Sequence, residues 1–359
     1  MAVLFDEFRE QILLSRPRTP AQALALFAYQ TGAMLEAGLP LLAALELNRE
    51  QAPEHLRTAL LAVEQDLKEG SSLAKALSKH PRVFPPLLVS MVEAGELGGI
   101  LPKAFSWLAD HYEREDKLFQ QIKSALAYPV LVLILTLVCL LIMFVLVLPN
   151  FAHLLSNMGT ELPLLTKMVL GISNLLVKRG SFLLLLVITG FGILYIFLQR
   201  PAGRLWWDNT LLNLPLIGSL ALKVISVRFC RILGALLHNG VPILQAVNVV
   251  KKTLGNQVLE HSLSIAEASL KEGQGLAKPL AQEKLFPSLV VQLVTSGEET
   301  GQLPQFLLKL SDYYDREVER TLEKVVALLE PVLVLLLGIF VGGIVIALLL
   351  PMFSLFSSL

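Results

Sequence analysis

The sequence predicts an all-α integral membrane protein: two tandem cytoplasmic helical-bundle domains of about six helices each, and three transmembrane helices. Three observations carry this. The apolar residues concentrate in three charge-free runs at 125–148, 181–198 and 331–350. The chain repeats itself at an offset of 202 residues. No stretch sustains the two-residue alternation of a half-buried strand. The 359 residues are 54% hydrophobic and 17% charged, whereas soluble domains run near 45–50% apolar and about 25% charged. That balance excludes an ordinary soluble enzyme. With 30 basic and 30 acidic residues there is no basic excess to drive counterion release, so nucleic acid is not an expected partner.

Taken in order, residues 1–18 read as an amphipathic leader, with Leu4, Phe5, Phe8 and Ile12 on one helical face, or as a loosely ordered one. Its charges spoil the apolar core of a signal peptide. Residues 19–124 form the first cytoplasmic repeat. Thr19 reads as a helix N-cap with Pro20 at the first helical position. That helix ends at Gly38, Pro40 starts a second, and Pro53 starts a third that ends near Gly70. Ser71 and Ser72 offer caps for a fourth. Pro85 and Pro86 open a fifth, ended by Gly95, and a sixth runs from Leu101 toward Lys123.

Residues 125–148 follow as the first transmembrane helix, long enough for a bilayer core that needs roughly 20 apolar residues. Residues 149–180 are an extracytoplasmic loop and 181–198 the second crossing. Residues 199–324 are the second cytoplasmic repeat, 325–350 the third crossing and 351–359 an extracytoplasmic tail. Buried core helices are the alternative for the apolar runs, and the second run is the shortest.

The repeat is specific. Phe27, Gly38, Pro40 and Leu42 match Phe229, Gly240, Pro242 and Leu244. Residues 93–117 and 295–319 are identical at 10 of 25 positions, including Gly95, Glu96, Gly99, Asp110, Tyr112, Arg114 and Glu115. Pro129 matches Pro331. The run at 181–198 has no counterpart, and its role is to return the chain to its starting side. Lys117, Lys123, Arg200, Arg204, Arg316, Arg320 and Lys324 flank the crossings on one side, which the positive-inside rule makes cytoplasmic. Lys178 and Arg179 dissent, and the repeat symmetry outweighs them. Residues 1–124 carry a net charge of −3 and residues 199–324 a net charge of +2, so the two repeats can attract each other or meet different faces of a partner.

The sequence contains no Walker loop, no dinucleotide fingerprint, no HExxH and no GxSxG. The six histidines and two cysteines lack ligand spacing, so no metal, cofactor or catalytic residue is expected. The candidate contact residues are therefore structural or partner-binding: Gly95, Glu96 and Gly99 with Gly297, Glu298 and Gly301 at the turn before the sixth helix, and Asp110 and Arg114 with Asp312 and Arg316 along it. A carboxylate at a following helix N-terminus is the plain reading of the glutamates. An intrahelical pair four residues apart is the plain reading of each Asp–Arg couple. Pro129 and Pro331 mark either a bend or a helix start. Gly338 and Gly342 form a small-xxx-small pair suited to a helix contact or a homo-oligomer.

These elements together resemble the type II secretion F-protein family, over about residues 20–355. The resemblance rests on the paired openings at 27–41 and 229–243, the Gly-Glu-x-x-Gly-x-Leu elements at 95–101 and 297–303, and the Glu-Pro-Val-Leu start at 330–333 with its Gly-rich middle. It implies a non-enzymatic inner-membrane platform of a type II secretion, type IV pilus or competence machine. It also implies a cytoplasmic hexameric secretion ATPase, pilin or pseudopilin subunits and other inner-membrane assembly proteins as partners, the bilayer itself and self-association. The runner-up is a small transporter or channel subunit, which would need polar groups inside the membrane; a membrane enzyme comes third.

Overall fold

The computed structural model describes residues 19–151, 163–283 and 285–356, and every regular element among them is helical. The leader at 1–18, part of the expected outer loop (152–162) and the end of the tail (357–359) lie outside the described residues. The chain divides into two compact units. One joins the segment ending at Gln121 with Leu205–Leu322; the other joins Ile122–Arg204 with the segment from Glu323 onward.

The first unit contains both polar repeats. In the first repeat the helices are α1 (Ala21–Glu36), α2 (Leu41–Gln51), α3 (Glu54–Lys68), α4 (Leu73–Ser78), α5 (Pro86–Gly98) and the start of α6 (Leu101–Ile142). After α7 (Leu164–Gln199) and α8 (Pro201–Asn213) the second repeat follows the same order: α9 (Ile217–His238), α10 (Ile243–Thr253), α11 (Gln257–Lys271), α12 (Ala277–Glu283), α13 (Ser288–Thr300) and the start of α14 (Leu303–Phe356). Prolines punctuate both copies. Pro20, Pro40, Pro53 and Pro85, then Pro242 and Pro287, each sit in extended backbone just before a helix. Proline is preorganised there, and the amide it lacks would be unbonded in any case.

Three details differ from the expectation. Pro20 takes the flanking position itself, and α1 has no side-chain cap, so Thr19 is not its N-cap. Gly95 does not end the fifth helix. It lies inside α5, and the stop is Gly99, with φ +65°, as Gly301 with φ +69° is for α13. A left-handed residue at that position closes the last turn, and glycine adopts it without the Cβ clash. Pro129 and Pro331 start no helix, because α6 runs on through Pro129 and α14 through Pro331.

Each repeat has an aromatic centre. Phe27 lies 5.9 Å from Phe84 and 6.0 Å from Phe105, ring to ring; its counterpart Phe229 lies 4.7 Å from Phe286. Burying each such ring contributes about 1.5–3 kcal/mol. The two repeats pack directly: α5 of the first lies on α9 and α10 of the second. As a result α9 is buried at 16 of its 22 residues, whereas its counterpart α1 is buried at only five of 16. The N-terminus of α11 is capped twice. Asn256 Oδ1 accepts from Val258 and Leu259 N–H, and Asp208 of α8 accepts from Gln257 N–H at 2.8 Å.

The second unit is apolar. Leu148, Leu170 and Ile344 form its buried centre, flanked by Leu140, Phe144 and Leu348. Thr166 Oγ1 donates to the Ala347 carbonyl at 2.6 Å and Ser173 Oγ to the Phe144 carbonyl at 2.5 Å. The α6 backbone widens to a π-helical segment at Met143–Val147. α7 begins at Leu164, well inside the stretch read as a loop, because Pro163 opens a run rich in leucine. The helix is interrupted at Arg179, so the dissenting Lys178 and Arg179 mark its kink. Among the described residues two stretches, Leu101–Phe151 and Leu303–Leu350, are long and apolar enough to cross a membrane; Ile188–Leu198 is a shorter apolar helix.

Candidate functional site at the joint between the repeats

α6 projects the neighbours Asp110 and His111 and, one turn on, the neighbours Arg114 and Glu115, which puts them on two adjoining strips of the helix. α9 brings Arg228 and Arg231 against them, and α14 adds Asp312 and Asp315. Arg228 Nε lies 3.3 Å from Glu115 Oε1, with both side chains more than nine-tenths buried. His111 Nε2 is 3.9 Å from the same oxygen. Arg231 pairs with Asp315 within the second repeat. Arg114 reaches across to Asp312 at 3.6 Å and Asp315 at 3.5 Å. All of these groups except Asp312 line a cavity of about 420 Å³ that also touches Leu118, Val224, Val227 and Val318.

The burial of these groups sets their protonation. His111 stacks on Trp107 at 5.1 Å. Burial, and after it the nearby Arg231, Arg228 and Arg114, holds its imidazole well below the usual histidine range, so it is neutral. Burial pushes the Glu115 carboxyl up, against the pull of Arg228 and Arg231. It also pushes Arg228 down, although Glu115 opposes this. His111 Nδ1 and Glu115 Oε2 are buried and have no hydrogen-bond partner among the described residues. Such a cluster is an expensive way to hold two bundles together. Its value lies in fixing one register, because separating the partners would strand a buried charge.

The sequence-predicted residues fall into separate places. Asp110 and Arg114 do not serve each other; Asp110 lines the cavity while Arg114 pairs across the joint with Asp312. Among the described residues Arg316 belongs to none of the ion pairs of this joint, where Asp315 holds the second-repeat side instead. Glu96 and Glu298 are not at the joint, and they cap the helix behind them rather than the one ahead. Glu96 accepts from Leu73 N–H at 2.6 Å and Ala74 N–H at 2.9 Å, at the start of α4. Glu298 repeats this with Leu276 at 2.5 Å and Ala277 at 3.0 Å. Gly95 and Gly297 permit close packing of the next helix, since a Cβ there would meet Ala104 Cβ and Leu303 Cα, each at 2.8 Å. Among the described residues a Cβ at Gly338 or Gly342 would meet nothing within 4 Å.

Sequence reasoning missed Arg228 and Arg231. Their repeat counterparts are Leu26 and Tyr29, so the duplication hid them. The available signal was two arginines three apart inside the otherwise apolar run 224–237. Gly32 and Gly234 were also missed. They let α1 and α9 approach α6 and α14 closely, at Phe105 and Leu307.

Comparison with known proteins matches the family model for "Type II secretion system (T2SS), protein F" twice, at residues 27–149 and 229–351. The chain is 36% identical over 338 residues to the type IV pilus assembly protein PilC of Myxococcus xanthus, covering 92% of this chain and 80% of the relative. It is 38% identical to PilC of Thermus thermophilus, covering 94% and 83%. To the type II secretion system protein F of Vibrio cholerae it is 32% identical, covering 91% and 81%. Two matched copies in one chain, at the positions of the two bundles and the long helices that follow them, place this membrane protein in the type II secretion system protein F family.

Proposed function

We propose that this chain is the non-catalytic inner-membrane platform of a type IV pilus or type II secretion machine. It couples a cytoplasmic secretion ATPase to the insertion of pilin or pseudopilin subunits into a fibre. The observation that carries this is the joined pair of bundles: two copies of one helical domain, locked by the Glu115–Arg228 pair, each leading into a long apolar helix. A body of that kind transmits force between a partner on one side and membrane helices on the other. Both bundles lie in the cytoplasm, with three crossings, the N-terminus cytoplasmic and the C-terminus extracytoplasmic. The basic flanks support this orientation, and a reporter fused at residue 165 tests it, since activity only in the cytoplasm would overturn it.

The hydroxyls in the apolar helices favour a scaffold over a transport path. Thr136, Thr166, Ser173 and Thr189 all bond to helix carbonyls. A deletion strain tests the role directly. Fibre assembly or secretion should stop while pilin synthesis and ATPase activity persist; normal fibres in that strain would refute it.

A further inference from the structure

The two repeats share a fold but not their burial. On α9 and α10, Arg228, Arg231 and Val249 are 5%, 8% and 7% exposed, covered where the first repeat packs. Their counterparts on α1 and α2 are Leu26, Tyr29 and Leu47, exposed at 53%, 66% and 46%. The covering face shows the same asymmetry in reverse. Leu87 and Met91 of α5 and His111 of α6 are buried. Their counterparts Leu289 and Leu293 of α13 are half-buried, and Tyr313 of α14 is 43% exposed. Among the described residues each chain therefore carries one filled repeat-to-repeat contact and both halves of a second, unfilled one.

The chemistry of the two halves has changed together. In the filled contact, Arg228 meets Glu115 and Arg114 reaches Asp315. In the unfilled contact the receiving face offers Leu26 and Tyr29 in place of Arg228 and Arg231, and the covering face offers Tyr313 in place of His111, with Leu289 and Leu293 beside it; Arg114 and Asp315 correspond to Arg316 and Glu113, which keep opposite charges. Glu317, the counterpart of Glu115, is engaged by Lys223 at 3.0 Å and by Arg320 at 3.3 Å. The polar pair at the edge of the filled contact, Gln245 with Glu93 at 3.4 Å, is replaced by Ala43 and Thr295. An apolar acceptor thus matches an apolar donor that every copy of the chain carries.

We infer that a second copy of this chain lays its α13–α14 face, with Leu289, Leu293 and Tyr313, on the α1–α2 face of the first, at Leu26, Tyr29 and Leu47, repeating between chains the contact that joins the two repeats within one. The contact joins unlike faces, so it closes only through a ring of copies. The inference does not depend on which machine the chain serves.

The test uses the full chain in native membranes with the photoreactive residue p-benzoylphenylalanine at Tyr29 or at Leu47. The expected product has twice the 39.5 kDa chain mass, with the crosslinked peptide inside residues 286–320. The same probe at Val249 should crosslink only within the chain. In a Leu26→Arg, Tyr29→Arg background, the double-mass product from position 47 should fall by at least about tenfold, the effect of losing about 1.4 kcal/mol or more of association energy. Adducts from position 29 or 47 to residues 1–18, to lipid or to a different protein would overturn the inference, as would the absence of any double-mass product. The probes at positions 29 and 47 replace exposed residues, so they read the contact even if the arginine variants are poorly produced.

Discussion

The Arg228 guanidinium of the second repeat lies 3.3 Å from the Glu115 carboxylate of the first, in a setting that shuts both away from water. Burying two charges this way gains little net energy over an apolar pair of similar shape. Breaking it from one side is another matter, because the remaining group keeps its charge and loses this buried partner. The pair therefore acts as a register pin between the duplicated bundles. His111, Arg114 and Asp315 extend the pin across the cavity wall.

Acidification should loosen this joint through His111. Its folded pKa is depressed below the ordinary value of 6.5. Below that pH the unfolded chain binds a proton that the folded imidazole refuses, so stability falls as pH drops through 6.5 toward the folded value. Glu115, raised from 4.5, works in the opposite sense at lower pH, where the folded carboxyl takes up its proton first. The melting temperature of the purified full chain should decline between about pH 7.5 and pH 5.5, and decline less in His111→Gln. Equal declines in both proteins would show that His111 is not the titrating group.

Glu96 and Glu298 should each matter for the helix behind them. Each carboxylate accepts two backbone N–H groups, and hydrogen bonds to charged groups contribute about 1.5–3 kcal/mol. Glu96→Ala should speed amide exchange at Leu73 and Ala74, and Glu298→Ala at Leu276 and Ala277. Glutamine, which keeps one acceptor oxygen, should lose less. Unchanged exchange at those amides in the alanine variants would contradict the capping role.

The glycines should separate into two classes. Gly95→Ala and Gly297→Ala drive a methyl group into the next helix, and overpacking of this kind costs about 1–3 kcal/mol. Gly338→Ala and Gly342→Ala meet open space within the chain and should leave thermal stability unchanged. Equal losses at both pairs, measured by thermal unfolding in detergent, would mean that the close approach at α5 and α13 is not limiting.

Much of this was legible in the sequence. Prolines and glycines recur at matching positions in the two repeats, so the helix order of one bundle confirms that of the other. The polar joint was less legible. Glu115 could be seen as repeated, but its partner could not, because Arg228 stands where the first repeat has Leu26 and Arg231 where it has Tyr29. Repeat matching finds what two copies share, and a joint between them is built from what they do not share. The acidic turn was found and aimed the wrong way. Glu96 precedes α6 in sequence, and only the folding of α5 against α4 turns its carboxylate back to Leu73.

The most direct test of the joined platform is a double-mutant cycle on Glu115→Leu and Arg228→Met, read in the full chain by unfolding and by fibre assembly or secretion in a complemented deletion strain. Each single variant should lose about 3–5 kcal/mol, the penalty for stranding a buried charge, and should impair assembly. The double variant should lose less than the sum, with a coupling of about 0.5–3 kcal/mol, and recover assembly in proportion. Additive losses, or full assembly in both single variants, would contradict the claim that this pair holds the two repeats as one working body.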